Sequence, residues 1–294
     1  MKRYRRSNTA TGRAPVAVPT TTSNDTAHPY RWAQLLEDAV NTPGTISRAY
    51  STFWRYSTGN MLAALLQCQA RGITPGPINT YAGWQALGRQ VRKGEKAFVL
   101  CQPITATRRQ STDAEAADDA EAPDVYTFFQ WRPRWFVLAQ TDAINGKEYT
   151  PPILPGWDRA RALEVLGVRE ERFTHFDGNV QGYSTAGRVL AISPVAAHPE
   201  RTLLHELGHI VLGHLDETSR DLPRAVKEAE AESVTLICAD ALGIAGADES
   251  RGYIQHWLRS ERFEEAMARR IFRAADAILK AGRDDPAPPL ASAA

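Results

Sequence analysis

Apolar positions recur at helical spacing in three stretches of the N-terminal half. Trp32, Leu35, Leu36 and Val40 define a first helix, which Pro43-Gly44 interrupts. Met61, Leu62, Leu65 and Leu66 line one side of a second helix over 60–71, which Gly72 ends. A third and shorter helix covers 80–87 and stops at Gly88. The Gly/Pro-rich run 72–77 reads as a loop and 89–96 as a basic turn. Three β-type runs follow, a strand over 97–102 closed by Pro103 and two more over 126–129 and 135–139. Pro151-Pro152 and Pro155-Gly156 then mark a linker. Beyond it the pattern predicts a helix over 159–166, paired short strands over 179–183 and 188–192, and a helix over 202–215. A helix over 223–242 ended by Gly243, and further helices within 250–281, complete the series.

This order predicts an α+β fold of two domains. A small mixed α/β domain over 29–150 precedes a mainly helical domain with a short β-sheet over 151–281. The length of 294 residues agrees, at about 150 residues per domain, each able to bury its own core. Residues 1–28 read as a disordered basic arm and 282–294 as a frayed tail. The run 111–124 has no apolar periodicity and reads as an acidic insertion in a hairpin connection. No apolar run approaches the roughly 20 residues of a membrane span, and the basic N-terminus precedes no secretory-type apolar stretch. Cys68, Cys101 and Cys238 are odd in number and far apart, which argues against a disulfide scaffold and for a cytoplasmic location.

Charge changes the picture. The formal net of +1 conceals 15 basic against 4 acidic residues in 1–110, six acids without a base in 111–124, and 12 bases against 17 acids in 200–294. Such asymmetry hints at a nucleic-acid partner for the basic half. Arg89, Arg92, Lys93 and Lys96 flank Gly94, where a turn brings cations close to phosphates. Trp54, Tyr56 and Tyr81 offer faces on which unpaired bases stack, worth roughly 1–3 kcal/mol each. Trp84, at helical spacing from Leu87, reads instead as a core residue.

The most specific chemistry lies in His205-Glu206-Leu207-Gly208-His209. On a helix the two histidines stand one turn apart and can share one zinc ion, while Glu206 adjoins them as a general base. His214 misses the metzincin ligand spacing and reads as a helix-end residue. The third ligand is sought on the acidic helix, where Glu228 and Glu232 lie one turn apart. One of these carboxylates would bind the metal while the other, Glu232, supports a ligand histidine from behind. Glu230, about 160° away on the helical wheel, is the alternative ligand.

Several strings carry a resemblance. Tyr56-Ser57-Thr58-Gly59-Asn60, Tyr81-Ala82-Gly83-Trp84, the run from Leu87 to Lys96, and Gln140-Thr141-Asp142 resemble the N-terminal domain of ArdC-type antirestriction proteins of mobile elements. The segment from His205 to Val234 is similar to the zincin-like metallopeptidase domain that accompanies it in that family. The resemblance implies single-stranded DNA as a partner, zinc as cofactor and an unidentified protein substrate. Two departures stand out: the acidic insertion, and the lack of an acidic residue in Phe136-Val137-Leu138-Ala139. Two other functions fit the same residues. One is a non-catalytic DNA-binding protein with structural zinc, and the other a peptidase-type regulator that inactivates a repressor.

Overall fold

The computed structural model describes residues 30–107, 125–146, 148–175 and 178–284. The basic arm, the acidic run 111–124 and the last ten residues lie outside the described residues.

Three helices open the fold: α1 (Trp32–Asn41), α2 (Thr45–Phe53) and α3 (Thr58–Arg71). The first and third fall where the apolar period put them. The second lies beyond the Pro43-Gly44 break, where the sequence pattern assigned no element, although Ile46, Ala49, Tyr50 and Phe53 bury one face at helical spacing. Its Ser/Thr-rich sequence has low intrinsic helix preference, so packing holds it. β1 (Ile78–Thr80) leads into α4 (Tyr81–Ala86), capped by the Thr80 hydroxyl, which accepts from the Gly83 N–H. Trp84 is fully buried, as its spacing predicts.

The basic segment begins as a strand, β2 (Arg89–Val91), and turns only afterwards. Then come β3 (Phe98–Thr107), β4 (Val125–Val137) and β5 (Thr141–Ala143). One antiparallel sheet has the order β1-β4-β3, and β2 pairs with β5. Pro103 does not close β3, which was expected to end there. β3 is an edge strand, where Pro103 costs no ladder bond on the open side. Pro133 sits beside a bulge at Phe98/Val99, so β4 runs unbroken where two shorter strands were expected.

The C-terminal half contains α5 (Arg159–Val165), β6 (Arg169–Glu170), β7 (Gly182–Thr185), β8 (Val189–Ile192), α6 (Pro199–Val211), α7 (Arg224–Leu242), α8 (Ala247–Trp257) and α9 (Glu265–Ala281). Its sheet has the order β6-β8-β7, parallel on one side and antiparallel on the other. α6 ends at Val211, four residues earlier than the pattern suggested, because Gly213 turns the chain with φ +71.

One apolar core runs through both halves. Leu36, Phe53 and Leu62 belong to the same buried cluster as Ile237, Ile271 and Ile278. The helix ends of the N-terminal half are also completed from the C-terminal half. Neither α1 nor α3 has a side-chain cap from its own N-cap residue. Glu265 accepts the N–H groups of Trp32 and Ala33 at 3.0 and 3.4 Å, and Asp276 accepts that of Thr58 at 2.6 Å. At helix C-termini, Arg251 donates to the carbonyls of Ala39 and Val40 in α1, and Arg283 to that of Trp54, which ends α2, at 2.6 Å. Acids meet helix N-termini and bases meet C-termini, the pairing that the helix dipole favours. Arg283 thus belongs to the folded body, although the sequence placed it in the frayed tail.

Candidate metal centre

α6 presents His205 and His209 toward α7. Gly208 faces Ala231, where a Cβ would already touch backbone at 3.4 Å, so the two helices meet closely. This approach brings Glu228 to the histidines. His205 Nε2 and His209 Nε2 are 3.1 Å apart, and Glu228 Oε2 lies 3.5 and 3.6 Å from them. Donors at the usual 2.0–2.2 Å from a tetrahedral ion stand about 3.3–3.6 Å apart. The triangle therefore has the size and chemistry of a three-ligand divalent metal site, and it is the candidate metal cluster found among the described residues.

Electrostatics match that geometry. Burial disfavours a charged His205, but Glu228 and Glu232 outweigh it and hold the imidazole pKa up to about 9. The two histidines hold Glu228 well below the ordinary carboxylate range. Glu232 Oε1 is 3.3 Å from His205 Nδ1, outside hydrogen-bond geometry, so this contact is an ion-pair distance. Arg201 Nη2 anchors both oxygens of Glu232, at 3.1 and 2.9 Å. Glu206 is buried beside the site and accepts the Ser184 hydroxyl of β7 on Oε2 at 2.7 Å.

Of the two glutamates left open by the spacing, Glu228 reaches the histidines and Glu230 does not. Glu230 is buried against His214, 2.9 Å away, on the far side of His209. His214, read as a helix-end residue, is itself buried under α6. A signal for Glu230 existed, since it shares the apolar face of α7 with Val234 and Ile237, and a buried carboxylate there requires partners.

The residues proposed for DNA contact do not form one surface. Tyr81, Arg92 and Lys93 line an open groove of about 590 Å³ together with Gln90, Glu95 and Asp142. Lys96 is exposed nearby, whereas Arg89 spends its donors on Thr141, at 2.7 and 3.0 Å. Arg92 already pairs with Glu95 at 2.7 Å and Asp142 at 3.4 Å. Trp54 is buried with Arg283 over its ring, and the Tyr56 hydroxyl donates to the Ile78 carbonyl at 2.8 Å. These two line a separate cavity of about 270 Å³ with Tyr149.

Comparison with known proteins accounts for both halves. Residues 31–131 match the N-terminal domain of anti-restriction factor ArdC, and 166–247 match an IrrE N-terminal-like domain. The chain thus carries an ArdC-type N-terminal domain followed by an IrrE-type domain, and it resembles ArdC-type antirestriction proteins. It is 29% identical over 258 residues to the uncharacterized protein y4eC of Sinorhizobium fredii, covering 81% of this chain and 78% of that one. It is 28% identical over 234 residues to the DNA primase TraC of Escherichia coli, covering 71% of this chain but only 16% of the primase. The metal-free crystal structure of antirestriction protein ArdC from plasmid R388 shares the ArdC-type fold, with a TM-score of 0.51 at 22% identity over 85% of this chain and 94% of that one.

Proposed function

We propose that this ArdC-type chain is an antirestriction protein of a mobile element that combines single-stranded DNA binding with a zinc-dependent peptidase site. The N-terminal unit, 29–150, would hold the strand, and the unit 151–281 would act on a host or element protein. The observation that carries the reading is the convergence of His205, His209 and Glu228 with Glu206 alongside. Two imidazoles and one carboxylate at tetrahedral spacing favour zinc among divalent ions. When bound there, zinc would supply a Lewis acid that polarises a scissile carbonyl and acidifies water. Glu206, with Oε2 held by Ser184, takes the proton of the attacking water on Oε1 and returns it to the leaving nitrogen. Glu232, anchored by Arg201, places a negative charge 3.3 Å from His205 Nδ1, behind the donor triangle.

On the DNA side, the support is the groove with Tyr81, Arg92 and Lys93 and the excess of bases in 1–110. The three free cysteines and the absence of a membrane-length helix among the described residues accord with a cytoplasmic location.

The deciding comparison is wild type against Glu206→Gln for protection of an incoming element in a restricting recipient. Lost protection, with zinc content and strand binding retained, supports hydrolysis. Equal protection overturns it in favour of structural zinc. That second reading has its own observation, since α8 and α9 support the metal site and also complete the helix ends of the N-terminal half.

A further inference from the structure

The ring behind His209 belongs to a buried string of side chains that the proposed chemistry does not use. His209 turns Nε2 toward the donor triangle and Nδ1 toward His214 Nδ1, 2.9 Å away. His214 Nε2 is 2.9 Å from Glu230 Oε2. The other oxygen of Glu230, Oε1, accepts from Arg270 Nε at 3.0 Å and from its Nη2. His214 and Glu230 are 2% and 1% exposed, so water does not compete for the bond between them. The backbone builds the string on purpose-shaped geometry: Gly213, at φ +71, turns the chain under α6, and the His214 N–H then donates to the His209 carbonyl at 3.0 Å.

Two ring nitrogens facing each other need one N–H and one lone pair. Arg270 supplies only donors, so Glu230 is held as an acceptor. His214 Nε2 must therefore carry the hydrogen, which leaves its Nδ1 as a lone pair. His209 Nδ1 then has to donate, and its Nε2 is left bare toward the triangle. The reverse arrangement would set a lone pair of His214 against a buried carboxylate and put a hydrogen on His209 Nε2. His205 has no equivalent, because its Nδ1 lies outside hydrogen-bond geometry with Glu232.

We propose that His214, Glu230 and Arg270 are positioning residues that fix the tautomer and ring orientation of His209, so that Nε2 is presented as a metal donor. This rests on the reading of His209 as a ligand.

Substitutions separate polarity from bulk. His214→Gln keeps an acceptor for His209 and a donor for Glu230, whereas His214→Leu keeps neither. Glu230→Gln inverts the string: Arg270 claims the amide oxygen, the amide nitrogen faces His214, and the His209 hydrogen is driven to Nε2. Two readouts apply to the full chain, ring-nitrogen NMR of the metal-free protein and zinc affinity by chelator competition. The expected results are a His209 Nδ1–H tautomer in wild type and His214→Gln, with zinc affinity of the two within about threefold. In His214→Leu and Glu230→Gln the Nδ1–H tautomer is lost and zinc affinity falls about 10–100-fold. If His214→Leu does not fold, Glu230→Gln decides alone.

An Nε2–H tautomer in wild type, or unchanged tautomer and affinity in Glu230→Gln, overturns the proposal while leaving the metal reading intact. Failure of wild type to bind zinc overturns the metal reading, and this proposal with it.

Discussion

Asp276, on α9, receives both the backbone N–H and the hydroxyl of Thr58 on one oxygen, each at 2.6 Å. The two residues are 218 positions apart, and the contact caps the start of α3 from the other half of the chain. Burial raises the Asp276 pKa above its ordinary value of 3.8, against the opposing pull of Lys280, Thr58 and Arg283. The folded protein therefore retains a proton that the unfolded chain has lost. Between the ordinary and the raised value, stability falls as pH rises. Asp276→Asn keeps the acceptor and removes the charge, so it should abolish that slope and match or exceed wild-type stability at pH 7. Asp276→Ala should lose about 0.5–2 kcal/mol, as removal of a helix cap does. Urea midpoints measured from pH 4 to 8 check both.

The shared core and the crossed caps make the halves interdependent. Arg251, buried on α8, holds the last carbonyls of α1. Arg251→Ala should cost about 1–3 kcal/mol by leaving those groups unsatisfied. A chain ending at residue 150 loses Glu265, Arg251, Asp276 and Arg283 together, along with the α7–α9 face of the core. It should show no cooperative thermal transition, whereas the full chain should melt both halves together. A sharp, independent transition of the fragment would disprove this dependence.

At the proposed metal centre, His205→Ala, His209→Ala and Glu228→Gln should each lower zinc affinity by more than the about 10–100-fold that loss of an outer partner costs. Glu206→Gln should leave zinc content unchanged, because Glu206 contacts Ser184 and not the donor triangle. Metal analysis after dialysis separates the two groups of variants.

Binding of single-stranded DNA should weaken steeply with salt, and further in Arg92→Ala/Lys93→Ala, with the log–log slope reduced by roughly 0.7 for each lost phosphate contact. Asp142→Asn should act in the opposite direction, since Asp142 partly neutralises Arg92 from 3.4 Å. Fluorescence anisotropy across a salt series reads both effects, and salt-insensitive binding would contradict the basic groove as the site.

What the sequence determined by itself was local. Helical periods marked α1, α3 and α7 because an apolar face repeats within each. The His205–His209 pair was legible because one helical turn brings i and i+4 together. Glu228 was narrowed to one of two residues for the same reason. Tertiary structure decided the rest. α2 forms because its apolar face is covered, and β3 and β4 run past Pro103 and Pro133 because of where they lie in the sheet. Glu228 is separated from Glu230 by the close approach of α6 to α7, which turns one carboxylate to the donor triangle and buries the other under His214. The Arg270 partner stands 40 residues beyond Glu230, and the caps on α1 and α3 come from more than 200 residues away. Periodicity reports which face of an element is apolar. It carries no information about which distant charge satisfies a buried polar group, because that partner is chosen by packing and not by spacing along the chain.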